Sequence, residues 1–242
     1  MQKKGKVLLV VLLAILLLLG VALYQVLANL DSIVARVIEE EGSEATGTAV
    51  TVGGVSIDLR GGSGTISGLE VANPRGFSDR PAIAFEEIRI GIDPVAATSS
   101  PIVIREVRVT GASVLMEQTT AGNNLRTLQA ALQQPGTADS EPGGPGVVIE
   151  RFLLENASVE AELPQLGESR EASIRRIELT DIGRATNGAT AGSVARQVVT
   201  PIVRAALESA AADGIRNELQ QEVDEARDKV TEKLLEDLPP RE

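Results

Sequence analysis

The side chains able to do acid–base or nucleophilic chemistry are few in kind. The chain contains neither histidine nor cysteine, which removes the commonest general acid/base, the commonest neutral metal ligand and every thiolate. Ser-His-Asp, Cys-His and His-based zinc chemistry are therefore excluded, as are disulfides. What remains is carboxylate, hydroxyl, lysine, arginine and a single tyrosine, Tyr24. Glu86 and Glu87 are adjacent carboxylates, and Asp58, Asp93 and Asp181 fall near the ends of strand-like segments. Such groups can serve as acid/base pairs or calcium ligands, but no segment reads D-x-[DN]-x-[DN]-G and no paired-carboxylate spacing stands out. The segment RGGSGTISG (60–68) lacks the Gly-Lys-Ser/Thr ending of a phosphate loop and leads into a strand pattern, so it reads as a turn. The expectation is a non-enzymatic protein with no cofactor and no metal.

Charge narrows the partners. The formal net charge of −11 and a pI near 4.7 argue against nucleic acid and against anionic headgroups, both of which select clustered Lys and Arg. Aromatic residues are scarce, with Phe77, Phe85 and Phe152 the three phenylalanines. An aliphatic lining of Val, Ile and Leu suits acyl chains better than sugars or bases, although an ordinary aliphatic core has the same composition.

These groups must be positioned by elements, and the first is an apolar run. Residues 7–28 are almost uninterrupted Val, Leu, Ile and Ala, matching the roughly 20 residues an α-helix needs to cross a bilayer core. Lys3, Lys4 and Lys6 precede it, whereas Asp31 and Glu39 to Glu41 follow, so the positive-inside rule keeps residues 1–6 in the cytoplasm and exports the rest. Tyr24 falls in the interfacial belt of such an anchor. The alternative is a cleaved secretory signal ending at Val26-Leu27-Ala28, and the length of the run favours the anchor.

Periodicity divides the remainder. Leu30, Ile33, Val34, Val37 and Ile38 recur at helical spacing in a stem over 29–44. From residue 49 the period becomes two, in TAVTVGGVSIDLR, GTISGLEV, AIAFEEIRIGID, IVIREVRVTG and ASVLMEQ. The apolar phase shifts near Glu86-Glu87, which a β-bulge would repair. GGSG at 61–64 reads as a hairpin connection. NNLRTLQAALQQPG holds a short helix capped by Asn123 or Asn124, with Leu125, Leu128 and Leu132 on one face and Pro135-Gly136 as its stop. Residues 135–146 form a Pro/Gly-rich linker. Strand pattern resumes over 147–185, where an offset of 45 aligns Val103-Ile104 with Val148-Ile149, Gly111-Ala112-Ser113-Val114 with Asn156-Ala157-Ser158-Val159, and Glu117 with Glu162. Gly111 and Asn156 tolerate left-handed dihedrals, so each reads as the end of one strand of a hairpin used twice. Amphipathic helices occupy 190–238: Thr200 before Pro201 offers a start, Ile202, Val203, Ala206, Leu207 and Ala210 share a face, and Asp213-Gly214 interrupts. Beyond that, Ile215, Leu219, Val223, Val230 and Leu234 lie along an apolar stripe whose acidic opposite face suits a partner helix or self-association better than a membrane surface.

Residues 45–134 also resemble a known module. VSIDLRGGSGTISGLEVANPRGFSDRPAIAFEEIRIGIDP, with Gly-x-Leu-x-Val before Asn73-Pro74-Arg75-Gly76-Phe77, is similar to the N-terminal module of the AsmA-like family of membrane-anchored envelope proteins. The likeness continues into Gly122-x-Asn124-Leu125 and Leu128, where a strand pair ending in an acidic residue leads to Gly-x-Asn-Leu and a short helix. The resemblance implies a single-pass bacterial inner-membrane protein facing the periplasm, in a family linked to outer-membrane assembly and phospholipid movement. The expected fold is α+β: a transmembrane helix, then a curved antiparallel sheet of repeated hairpins with a short helix and amphipathic C-terminal helices. One reading of function is an apolar groove for membrane lipids, lined by Val50, Val52, Val55, Ile57, Ile66, Leu69, Ile88, Ile90, Ile104, Val107, Val109, Val114 and Ile149. The other is a structural adaptor, in which the C-terminal helix recruits an envelope protein or a second copy.

Overall fold

In the computed structural model, residues 29–93, 100–120, 122–134, 146–163 and 168–212 are described. Among them no helix is long and apolar enough to cross a membrane; the 7–28 run, the linker at 135–145 and the helix expected at 215–238 lie outside the described residues. The described chain is α+β. Helix α1 (Leu30–Thr46) leads into strands β1 (Val50–Asp58), β2 (Ser63–Ala72), β3 (Pro81–Ile92) and β4 (Ile102–Thr119). The two-residue strand β5 (Gly122–Asn123), helix α2 (Asn124–Leu132), and strands β6 (Val147–Leu163) and β7 (Glu168–Ile182) follow. A last helix, α3, covers residues 191–212.

The stem and the short helix form as their spacing predicts. α1 stops at Gly47, whose φ of 68° is the left-handed C-cap that glycine adopts without steric cost. α2 begins with Asn123 as N-cap, its side chain accepting from the N–H of Arg126. Leu125 and Leu128 are fully buried and Leu132 nearly so, each contributing about 1.5–3 kcal/mol of transfer free energy. Within the helical region expected from 190, α3 is capped by Thr190 and not by Thr200: Thr190 Oγ1 accepts from the N–H of Ser193, and the helix passes through Pro201. Burial of Ile202, Val203 and Ala206, all at 0 % exposure, offsets the hydrogen bond that proline removes.

The strands form one sheet in the order β1-β2-β3-β4-β6-β7, with β5 paired to β4. All neighbours are antiparallel except β4 and β6, so the sheet is mixed, not the wholly antiparallel one expected. The parallel pair is the 45-residue repeat laid side by side: Val103 opposes Val148, Ser113 Ser158, Val114 Val159 and Glu117 Glu162. Gly111 and Asn156 do adopt left-handed φ, 62° and 55°, yet neither ends a strand. β4 and β6 run straight through them, so the repeat is a duplicated long strand and not a duplicated hairpin.

The reason is a row that crosses the whole sheet. Core-facing positions step by two, then three, then two in all six long strands: 50, 52, 55, 57; 64, 66, 69, 71; 83, 85, 88, 90; 107, 109, 112, 114; 152, 154, 157, 159; and 172, 174, 177, 179. At each three-step, two successive residues face outward. These pairs, Gly53-Gly54, Ser67-Gly68, Glu86-Glu87, Thr110-Gly111, Glu155-Asn156 and Arg175-Arg176, sit at the same level in neighbouring strands. The bulge expected at Glu86-Glu87 is therefore replaced. Because both partners carry the extra residue, register is kept through the row, and the β2/β3 and β3/β4 shifts fall instead at Val71/Ala72 and Gly91/Ile92.

Left-handed backbone at Gly68, Gly111 and Asn156 implements the change of face. Asn156→Gly is expected to leave stability within a few tenths of a kcal/mol. Asn156→Val and Gly111→Val should each cost about 1–3 kcal/mol from left-handed strain, read as a lower urea midpoint at unchanged m-value.

Candidate functional site

None of the carboxylates singled out by type assembles into a catalytic pair. Asp58 accepts from the N–H groups of Arg60 and Gly61 and closes the β1–β2 turn. Asp93 pairs with Arg105, Asp181 with Arg184, and Glu87 with Arg89 at 2.7 Å. Glu86 lies over Gly111, where a Cβ would come within 2.3 Å of its Oε2. Among the described residues no group of acidic side chains has the arrangement of a metal site.

Two polar assemblies were not legible in the sequence. The first joins the two halves of the module resemblance. Asn124, fully buried, accepts through Oδ1 from the N–H of Glu117 and of Leu125, both at 2.8 Å, and donates through Nδ2 to Leu115 O at 2.8 Å and Asn73 Oδ1 at 2.7 Å. The buried Glu117 carboxylate in turn accepts from Asn73 Nδ2 at 3.3 Å and the N–H of Ser78 at 3.0 Å. Every hydrogen-bonding position of the Asn124 amide is used. The Asn73 and Gly122-x-Asn124-Leu125 motifs thus meet as a structural joint tying the β2–β3 connection to the start of α2.

The second assembly lies on the outer face of β4, β6 and β7. Glu106, Arg108, Glu155, Arg176, Glu178 and Arg151 form a closed ring of alternating charge, each ion pair between 2.7 and 3.6 Å. At its centre is Leu153, which pairs with Arg108 on one side and Glu178 on the other and is only 2 % exposed although it faces away from the core. The long Arg stems cover it. Nearby, Arg80 reaches from the β2–β3 connection to Glu160, at 2.6 Å, and Glu162.

The thirteen aliphatic positions read as a groove all lie on the inner face. Val50, Ile66, Ile88, Val107, Val109, Val114 and Ile149 are buried there, whereas Val52, Val55, Ile57, Leu69, Ile90 and Ile104 are half-buried. The difference follows from three helices. α1 runs along the β1 edge, where Ser43, Glu39 and Asp31 accept from the N–H groups of Val50, Val52 and Ile57. α2 places its leucines in the same apolar cluster as the inner face. α3 starts beside β6, through the Val147–Ala189 bridge, and reaches β7, where Ser209 Oγ donates to Ser173 O at 3.4 Å.

Among the inner-face positions that these helices leave half-exposed, Val55, Ile57, Ile90, Ile92 and Ile104 share one corner. Gly64 lies on its floor between Ile57 and Ile90, where an added Cβ would stand 3.6 Å from Ile90 Cβ and 3.9 Å from Ile57 Cγ1. Its φ is not left-handed, so the backbone does not require glycine. Gly64 is itself buried, so an added side chain would press on the two isoleucines from ordinary van der Waals distance. The partner-helix positions Ile215, Leu219, Val223, Val230 and Leu234 lie outside the described residues.

Asn124→Ala removes both amide groups and strands the buried Glu117 and Leu115 backbone partners; a loss of about 2–4 kcal/mol in urea unfolding is expected. Glu160 and Glu178 are held below the ordinary 4.5, each chiefly by a hydrogen bond from Arg, Arg80 and Arg176 respectively. A depressed carboxylate contributes stability that is present above its unfolded pKa and lost as pH falls through its folded pKa. Thermal midpoints should therefore fall as pH drops below about 4.5, and the Glu160→Gln/Glu178→Gln variant should show a shallower acid slope. Compared with protein-family models, with curated proteins and with solved structures, the chain has no significant match in any of the three.

Proposed function

We propose that this is a non-enzymatic, membrane-anchored envelope protein that holds a lipid acyl chain in the half-exposed corner of its sheet and contributes to phospholipid transport or outer-membrane biogenesis. The observation that supports this reading best is the half-exposed aliphatic corner of Val55, Ile57, Ile90, Ile92 and Ile104. Its position adds to the argument: Ile57 is joined to Asp31 at the start of α1, three residues after the apolar run expected to lie in the bilayer, so the corner lies at the end of the sheet where α1 begins. The AsmA-like resemblance of residues 45–134 points the same way.

The energetics fit a carrier better than a tight receptor. A methylene gains about 0.8 kcal/mol on leaving water for apolar surroundings, and those surroundings are as apolar in a bilayer as against the corner. An acyl chain would thus be retained against water and exchanged with membrane at little net cost.

A second reading, a structural adaptor acting through the C-terminal helix, draws on the closure of much of the inner face by α2 and α3, since a plugged face is a core and not a conduit. The two are separated with the full chain in nanodiscs containing a diazirine-bearing phospholipid. Adducts are expected on residues 55–57 and 88–92 as well as on 7–28, and Gly64→Val, compatible with the extended backbone, should remove the first set while leaving the second. Absence of adducts on β1 and β3, or their persistence in Gly64→Val, would exclude the corner as the lipid site and leave the adaptor.

A further inference from the structure

We infer that α1 is a dimerisation stem: two copies of this chain pair in parallel through Leu30, Ile33 and Val37, clamped by reciprocal Arg36–Glu41 ion pairs. Ile33 and Val37 are each 41 % exposed, the two large hydrophobic side chains left exposed among the described residues. They project from the side of α1 away from the sheet, because Asp31, Ile38, Glu39, Gly42, Ala45 and Thr46 occupy the opposite side against β1. An aliphatic stripe at steps of three and four, half-buried at Leu30 and exposed at Ile33 and Val37, is the seam of a two-stranded coiled coil, in which Leu30 and Val37 take a positions and Ile33 takes d.

Charge selects a second copy, and in parallel, as the occupant. With that seam Arg36 falls at g and Glu41 at e of the following heptad, the pair that meets across a parallel dimer. Neither residue takes part in an ion pair among the described residues, and Arg36 is exposed. A two-fold axis supplies each Arg36 with the other copy's Glu41. Glu40, at the next d position, would face its own copy, so the seam ends there and the helices part toward their sheets.

A seam of two turns is too short to hold two chains together in water. It therefore rests on the reading of residues 7–28 as a membrane anchor, which confines both copies to one bilayer and raises their effective concentration.

The absence of cysteine makes the test direct. Single-cysteine full-length chains, Ile33→Cys, Val37→Cys and Ser32→Cys, are oxidised in native membranes. Disulfide dimer is expected at 33 and 37 at about tenfold the yield at 32, following helical periodicity. Arg36→Glu in the Ile33→Cys chain should lower the yield, and adding Glu41→Arg should restore it. Equal yields at all three sites, no dimer at 33 and 37, or no rescue by the charge swap would overturn the stem; monomeric Ile33→Cys protected only by lipid would assign that face to the membrane interface. Extraction by alkaline carbonate is measured in parallel: a chain released by carbonate overturns the anchor and the pairing together, whereas a retained but uncross-linked chain overturns the pairing alone.

Discussion

Two consecutive outward-facing residues in one strand have to be matched by two in the next, or the inner face loses its apolar continuity. That constraint organises the sheet. A lone extra residue would slip the register and turn half of a strand's Val and Ile to solvent. Here the step is repeated six times at one level, so each strand's irregularity is its neighbour's complement. The row also explains local chemistry: Gly68, Gly111 and Asn156 take left-handed φ along it, the backbone of Ser67 and Gly68 closes on Gly53, and the Glu86 side chain covers Gly111.

The local elements were largely legible and the long-range ones were not, for physical reasons that differ by residue. Asn123 and the Leu125-Leu128-Leu132 spacing specify α2 within a dozen residues, and α1 is written in its own apolar stripe. Pro201 misleads because proline is most at home in a first helical turn; only burial of Ile202, Val203 and Ala206 against the sheet makes an interior proline tolerable. Gly111 and Asn156 mislead for a related reason. A left-handed residue ends an isolated strand, and it continues one only when the strands beside it bend at the same height. The 45-residue repeat did carry the topology, since it marks strands that lie side by side in register, but similarity along a chain does not by itself distinguish adjacency from duplication at a distance.

At the site, the aliphatic positions were visible from alternation alone. Which of them are closed off depended on helices far along the chain. Asn124, Asn73 and Glu117 could not be grouped from sequence, because Asn73 and Asn124 are separated by 51 residues and polar residues at that distance carry no periodic signal. The charged ring around Leu153 was likewise hidden, although REVR, ERFLLE and RRIE hold its members. Its pairs are individually exposed and individually weak; as a closed cycle they fix how three strands lie against one another on the outer face of the sheet.

The capping of β1 by α1 has a further consequence, for the behaviour of the protein when crowded. An unprotected strand edge invites addition of another strand, and a sheet with two such edges can be extended without limit into a fibril. Ser43, Glu39 and Asp31 already hold three of the N–H groups that a newcomer to β1 would need. Growth by strand addition is then confined to β7. A sheet extensible from one side only can join a single two-fold related copy and stop, so the acceptor side chains of α1 act as a chain terminator against aggregation.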